Sequence, residues 1–399
     1  MFTENGAEIL FGNADCSFKP FSVFDDKVCS FLDLLSKELR TNRDTRAYSD
    51  IHTFAFFIRK ANLDRLKQRT NIGSSEFYRF GRGLVFHITP SNIPINFAYS
   101  WVFGLLSGNS NIVKVSSKRF EQTKIICEAS EKVIKQNPEL LFIKDTNQIV
   151  LYERNRDDIT GAFLSKCDAK VIWGGDSTIK KVRGFECKPR SIEVAFADRY
   201  SFAVFNSDAI LNANEEEIVE ICHRFYNDTF LVDQNACSSP HMIFWLGNSS
   251  ESAKDIFFSR LKEISKKYQL SEIVVSDKFE HLCRMAAEKK IDSVNRYSNV
   301  LYAYDLNDPN SDIEKYRGKC GEFFNIHVNK IDEMIQYFDD EKIQTCVVYG
   351  VNKNEILSSI LQRNIKGIDR IVDVGQALSL DIFWDGCNVL ETLSRVIMY

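Results

Sequence analysis

The sequence predicts an α/β fold built on parallel strands, and two observations carry that prediction. Short apolar runs alternate with segments of helical period along most of the 399 residues, the pattern of helices packed onto a sheet. Within it, the stretch from Leu84 to Ser117 reads as a complete strand–helix–strand unit. Its crossover is long enough to join parallel strands.

Taken in order, residues 1 to about 80 read as mixed and mainly helical. Apolar residues at Val28, Phe31, Leu32, Leu34, Leu35 and Leu39 fall close to helical spacing, and 50–71 repeats the pattern. No chemistry is apparent there, and the segment reads as packing or a lid. Leu84-Val85-Phe86-His87-Ile88 is a strand, broken by Thr89-Pro90-Ser91-Asn92-Ile93-Pro94. A buried helix over 95–106 ends at Ser107-Gly108-Asn109, and a second strand runs over 111–117. Lys114 lies at the end of that strand, where an apolar setting demands an anionic or polar partner. Strands over 148–152 and 169–173 follow, the second leading into Gly174-Gly175-Asp176-Ser177. Such a turn can offer free N–H groups to a phosphate or a nicotinamide, although Asp176 or Ser177 serves equally well as a helix cap. Further strands are read at 201–205, 241–246, 320–328 and 344–350, with helices at 215–225, 251–268, 276–290 and 331–338 between them.

Composition excludes several functions. Hydrophobic residues make up 44% and charged residues 27% of the chain, with a net charge of −4. That is ordinary for a globular protein and leaves no global field for nucleic acid or anionic membrane. No apolar run approaches the roughly 18–20 residues of a membrane span. The start, Met1-Phe2-Thr3-Glu4-Asn5-Gly6, has neither the basic nor the apolar region of a secretory signal. The 11 cysteines are scattered and contain no C-x-x-C pair, which points to reduced thiols and a cytoplasmic protein. Cys222-His223 and Cys237 with His241 can be drawn as zinc ligands, but the spacing fits no standard zinc site. No metal is expected.

The stretch that stands out is Asp233-Gln234-Asn235-Ala236-Cys237-Ser238-Ser239-Pro240, just before an apolar strand. A thiol on such a loop can face a cleft. Small neighbours leave room for a carbonyl, and backbone N–H groups can bind an oxyanion. The plainer reading is a core thiol, since free cysteine is among the most buried residue types. No G-x-G-x-x-G is present, so the ordinary dinucleotide fingerprint is absent.

From about Gly81 onward the pieces together resemble the aldehyde dehydrogenase superfamily. They are most similar to its acyl-CoA reductase branch, the long-chain fatty-acyl-CoA reductases of bacterial bioluminescence (the LuxC family). The residues that carry the likeness are Pro90-Ser-Asn-Ile-Pro94, Gly108-Asn-Ser-Asn-Ile-Val-Lys114-Val-Ser-Ser117, Val171-Ile-Trp-Gly-Gly175, Gln234-Asn-Ala-Cys237-Ser-Ser-Pro240, Gly321-Glu322-Phe-Phe324, Asp369-Arg370 and Trp384-Asp-Gly386. The resemblance implies an aldehyde dehydrogenase-like fold of two doubly wound α/β domains. They are expected as a cofactor domain over 81–205 and a catalytic domain over 206–354. The remaining 355–399 return to the cofactor domain or an oligomer interface, and a homo-oligomer is expected. It implies Cys237 as nucleophile and Asn92, with the Cys237 N–H, as oxyanion hole. It also implies Lys114 on the adenosine ribose, Gly174 and Gly175 near the cofactor phosphates, and Glu322 on the nicotinamide ribose. Ser91 and Ser117 join the cofactor residues. Without the resemblance, Asn92 is a turn residue, Glu322 a surface charge and Lys114 half of a buried ion pair.

Two departures from the family pattern are informative. Phe196 falls where hydrolytic members carry a general-base glutamate, with Glu193 three residues off. Lacking a base for water, a Cys237 thioester would resist hydrolysis. Ser117 stands where NAD-preferring members place a ribose-binding carboxylate, and Lys118 and Arg119 adjoin it. That favours NADPH. The implied reaction is attack of Cys237 on an acyl-CoA or acyl-carrier thioester, then reduction by NADPH to an aldehyde. An acyl-protein synthetase is the implied partner. The rival readings are an aldehyde dehydrogenase running towards acid, or a non-catalytic subunit that carries an acyl group.

Overall fold

Strands β1 (Glu8–Phe11), β2 (Phe77–Gly81), β3 (Leu84–Ile88), β4 (Ser110–Lys114), β5 (Asn147–Leu151), β6 (Ala169–Trp173) and β7 (Ile192–Phe196) open the chain. All but β2 share one sheet in the order β1-β5-β4-β3-β6-β7, parallel except at the edge strand β1. The central strands β3 and β6 are buried along their whole length, as helices on both faces of a parallel sheet require. The chain builds outward from β3 through β4 to β5, then adds β6 and β7 on the other side. The order therefore reverses between β3 and β6, where a doubly wound sheet opens a crevice at its carboxyl edge. Below that edge His87 is wholly buried between Ser100 Oγ (2.7 Å) and Asn111 Oδ1 (2.9 Å). Burial pushes its pKa down to about 4, against the pull of Asn111.

Strands β8 (Tyr200–Asn206), β9 (Pro240–Leu246), β10 (Ser293–Arg296), β11 (Tyr302–Asp305), β12 (Glu322–Val328), β13 (Ile343–Tyr349) and β14 (Arg370–Asp373) form a second sheet. Its order is β10-β11-β12-β9-β8-β13-β14, parallel except for the β10 edge. Aromatic side chains fill both faces. Phe202 stacks on Phe338 at 4.0 Å on one, and Phe205, Phe225, Trp245 and Phe257 interlock on the other. Burying each such ring contributes about 2 kcal/mol.

The computed structural model describes residues 1–288, 290–306 and 313–399, and it divides the chain into two units. One holds residues 1–197 and 382–399, the other 198–381. The division thus falls before β8, not after residue 205. Of the expected C-terminal segment, 355–381 stay with the second sheet and only 382–399 return to the first unit. There β15 (Phe383–Trp384) and β16 (Cys387–Asn388) form a hairpin whose corner residues, Asp385 (φ 46°) and Gly386 (φ 71°), are both left-handed. That is the type I′ turn which Asp-Gly favours, so Trp384-Asp385-Gly386 has a structural duty. Strand β17 (Ser394–Met398) pairs antiparallel with β2, and Asn109 Nδ2 donates to Leu393 O at 2.9 Å.

Other differences from expectation are local. The segment read as helical contributes β1 and β2, and the helix expected over 50–71 is two, Ser49–Phe57 and Lys60–Arg69. The helix expected over 276–290 is Glu272–Ala287, and Lys289 lies outside the described residues. No helix among the described residues is long and apolar enough to cross a membrane.

Candidate active site

The carboxyl edge of the first sheet gathers most of the expected cofactor residues. Lys114 ends β4 beside Ile88 of β3. Thr89 fixes the turn after β3 by donating its N–H (3.2 Å) and hydroxyl (2.8 Å) to Lys114 O. That turn presents Ser91 and Asn92, both exposed. The Lys114 ammonium lies over the Tyr152 ring at 4.9 Å and donates to Val115 O at 3.4 Å. Burial pushes its pKa below the usual lysine range, Arg154 adds to this, and Glu153 opposes it. No carboxylate is salt-bridged to Lys114 among the described residues.

Gly174 and Gly175 follow β6 at the same edge, and Gly175 caps the helix Asp176–Arg183. A Cβ at Gly175 would meet no atom within 4 Å. The turn is open, and N–H groups at a helix start favour a phosphate. Arg154, just past β5, donates to Thr178 Oγ1 at 3.3 Å, which adds a cation that the sequence reading missed. The residues present therefore fit a dinucleotide. Ser117 lies on the exposed loop beyond β4. Its neighbour Arg119 is held by Glu8 through two hydrogen bonds (2.6 and 3.3 Å).

In the second unit the Cys237 loop is built by its own backbone and one buried amide. Asp233 and Gln234 are both left-handed (φ 53° and 55°), a conformation that non-glycine residues hold only when other contacts impose it. The Gln234 side chain imposes it. Its Nε2 donates to Pro240 O (3.2 Å) and Glu322 O (3.1 Å), and its Oε1 accepts from Gly321 N (2.7 Å) and Glu322 N (3.2 Å). Gln234 thus clips the Cys237 loop to the turn that opens β12. Ser201 Oγ donates to Cys237 O at 2.7 Å, and Ser239 Oγ donates to Asp228 O at 2.7 Å. Cys237 is half-buried, unlike Cys127, Cys167, Cys222 and Cys346, which are fully buried. Phe324 pairs with Met242, so Cys237 and Glu322 share the amino edge of adjacent parallel strands.

Glu322 is a buried carboxylate, not a surface charge. Oε1 accepts from the Tyr304 hydroxyl (2.6 Å) and lies 3.1 Å from His281 Nδ1, while Oε2 accepts from Lys319 N (3.3 Å). Lys278, one turn before His281, donates to Val300 O (2.7 Å) and Cys320 O (2.6 Å). Burial pushes its pKa down to about 8, against the pull of Glu322 and Cys320. His281, Tyr304 and Lys278 had no local motif to reveal them. Only the fold carries them to β12.

The other candidates have structural duties. Phe196 is buried and stacks on Trp173 at 3.9 Å. Glu193 is ion-paired to Lys170 (3.2 Å) and Arg183 (2.7 Å). Though its burial raises its pKa, these two partners outweigh that and hold it below the usual range. His241 is buried, bonded to Gly318 O at 2.9 Å, and pushed down to about 3, first by burial and then by Arg317. Cys222 Sγ faces Phe257 O at 3.5 Å. Among the described residues no group of three metal-ligating side chains occurs. Arg370 donates to Ala377 O (3.2 Å) and Ser379 O (3.0 Å) and so ties down the end of the second unit.

The acyl-CoA reductase (LuxC) family model matches residues 58–396. This chain belongs to the LuxC family. Its relatives include the long-chain acyl-protein thioester reductases of Vibrio harveyi, at 26% identity, and Photorhabdus luminescens, at 23%. Each alignment covers 74% of this chain and 59% of the relative, so the chain spans about three-fifths of their length. Among solved structures, lactaldehyde dehydrogenase from Escherichia coli superposes with a TM-score of 0.65 at 14% identity, over 94% of this chain and 86% of its own. An indole-3-acetaldehyde dehydrogenase crystallised with NAD+ gives 0.66 at 11%, over 94% and 83%. The LuxC chain therefore has the aldehyde dehydrogenase fold.

Proposed function

We propose that this LuxC-family chain reduces a long-chain acyl thioester to an aldehyde through an acyl group held on Cys237. The observation that carries the reading is the half-buried Cys237 on a loop that Gln234 clips to Glu322. The relatives are acyl-protein thioester reductases, which supports an acyl group delivered on a protein carrier, and the family's description as acyl-CoA reductases supports delivery on CoA.

Cys237 attacks the thioester carbonyl, and the carrier thiol leaves. The Cys237 N–H donates to the oxyanion, and the family resemblance assigns Asn92 as the second donor, each worth about 3 kcal/mol in comparable sites. When bound, NADPH would supply the hydride that reduces the acyl group to an aldehyde. Lys114, Gly174, Gly175 and Arg154 would hold its adenosine and phosphate end, and Ser91 lines the same edge. Ser117 leaves room for a 2′-phosphate, and Lys118 attracts it. Glu322 orients the nicotinamide ribose, sharing its carboxylate with Tyr304 and His281. At the position where hydrolytic members of the superfamily carry a general-base glutamate, Phe196 offers no group to activate water, and Glu193 is held in two ion pairs.

Intact-protein mass after mixing with acyl-CoAs of different length, with and without NADPH, tests this. The expected result is one acyl adduct on the wild type, none on Cys237→Ala, and discharge to aldehyde on adding NADPH. An adduct that persists on Cys237→Ala would sink the assignment. Release of free acid instead of aldehyde would point to the oxidising direction.

A further inference from the structure

The second unit holds a histidine that the scheme above leaves without a part. His281 Nδ1 lies 3.1 Å from the buried Glu322 carboxylate, which also accepts from the Tyr304 hydroxyl at 2.6 Å. No hydrogen bond is made by His281 Nε2 among the described residues. The ring is edge-on to Tyr304 and Phe324, with centroids 6.3 and 6.5 Å away. The histidine keeps about one-fifth of its side chain exposed, the glutamate almost none. An imidazole whose one nitrogen is fixed by a buried carboxylate presents the other in a set orientation and tautomer, and the carboxylate stabilises the imidazolium.

This assembly sits on the amino edge that carries Cys237. Glu322 opens β12, beside Pro240 on β9, and Gln234 joins the two backbones. We infer that His281, oriented by Glu322 and Tyr304, is the proton-transfer group for acyl exchange on Cys237. The inference rests on the thioester reading proposed above. His281 Nε2 takes the Cys237 S–H proton, directly or through one water, as the Sγ–acyl bond forms. The bond from the acyl carbon to the carrier sulfur then breaks, and the imidazolium returns the proton to the leaving thiolate. No electrons are exchanged in this step. The charged or titratable groups around the ring are Glu322 from β12, Tyr304 from β11 with Arg296 behind it, Lys278 one turn earlier on the same helix, and Cys320 on the turn before β12.

Two readouts on the full chain test this. The first is Cys237 alkylation by iodoacetamide, followed peptide by peptide by mass across pH; it needs no acyl donor. His281→Gln is expected to slow it about tenfold at pH 7 and to move its rise to higher pH. The second is the acylation rate with acyl-CoAs of eight to sixteen carbons. His281→Gln is expected to lose roughly a hundredfold, and added imidazole should restore much of that to His281→Gly, which a purely structural role would not allow. Tyr304→Phe, a milder change, should slow acylation severalfold and decides the matter if His281→Gln fails to fold. Wild-type rates and an unchanged pH profile in His281→Gln, or in Tyr304→Phe where only that variant folds, overturn the inference. If the wild type takes no acyl group but alkylation depends on His281, the thioester reading fails and the coupling stands.

Discussion

The two sheets reverse their strand order in the same way, yet the two reversal points differ in charge and in how tightly their glycines are packed. In the first, the order reverses between β3 and β6, and the helix after β6 starts at Gly175, where a Cβ would touch nothing. In the second, it reverses between β8 and β13. There Gly350 (φ 65°) is packed so closely that a Cβ would lie 2.4 Å from Ala209 Cβ and 3.1 Å from Asn206 Cβ. The open groove of about 680 Å³ near that edge carries Asp208, Asp332 and Glu355 against a single Lys330, a poor match for phosphates. Meanwhile Cys237 and Glu322 occupy the opposite, amino edge of the second sheet. One topology thus serves two purposes. Where the edge is cationic it suits a dinucleotide; where the groove is acidic and its glycine packed, the candidate chemistry sits at the other end of the strands.

The largest test of this contrast is to force a side chain onto the packed glycine. Gly350→Val combines a left-handed backbone with a steric clash and should cost about 4 kcal/mol. Peptide-resolved hydrogen exchange should show the loss across β8, β9 and β13 while β3 to β6 keep their protection. An unperturbed second sheet would mean that the packing around Gly350 can give way.

Acid comes next, because both sheets bury a neutral histidine. His87 is held at about 4 against an ordinary 6.5. Between those values the unfolded chain binds a proton that the folded first unit does not. Its stability is therefore complete above pH 6.5 and falls as pH drops to 4, by on the order of 3 kcal/mol. His241 is pushed further, to about 3, so the loss in the second unit continues to lower pH. Urea midpoints across pH should show the slope, and His87→Gln should remove the part that belongs to the first unit.

The sequence made the first sheet's edge legible because each piece is local. A strand, a Pro-Ser-Asn-Ile-Pro break and a Gly-Gly turn announce themselves within a few residues. The Cys237 loop was legible for the same reason. Glu322 showed where the loop lay but not how deep, since burial depends on Tyr304 and His281, 18 and 41 residues away. β7, β11 and β14 escaped because short strands at or near a sheet edge carry little alternation. Other motif residues serve the fold. Asn109, within the Gly-Asn-Ser-Asn run, spends its side chain on the N–H groups of Arg82 (2.7 Å) and Gly83 (3.1 Å) and on Leu393 O. That part of the motif ties the start of β3 to the segment before β17.

Charge at the open edge gives a smaller effect. Lys114→Ala and Arg154→Ala should each weaken NADPH binding about tenfold, near 1.4 kcal/mol, by fluorescence titration. Asp208→Ala, at the second sheet's groove, should leave binding unchanged. Equal losses from all three would mean that the dinucleotide reads overall charge and not the first crevice.

The smallest stability effect should come from the glycine that looks most like a motif. Gly175 has φ −65° and open surroundings, so Gly175→Ala needs no strained backbone and should change stability by less than about 0.5 kcal/mol. If the space is kept free for a phosphate, the methyl group should still weaken NADPH about fivefold. The pairing of an unchanged melt with weaker binding separates a glycine retained for a ligand from one retained for packing. Gly350 is the opposite case, and substitution there should show in stability first. A Gly175→Ala variant that binds NADPH as the wild type does would place the phosphates elsewhere along the edge, nearer Lys114 and the turn after β3.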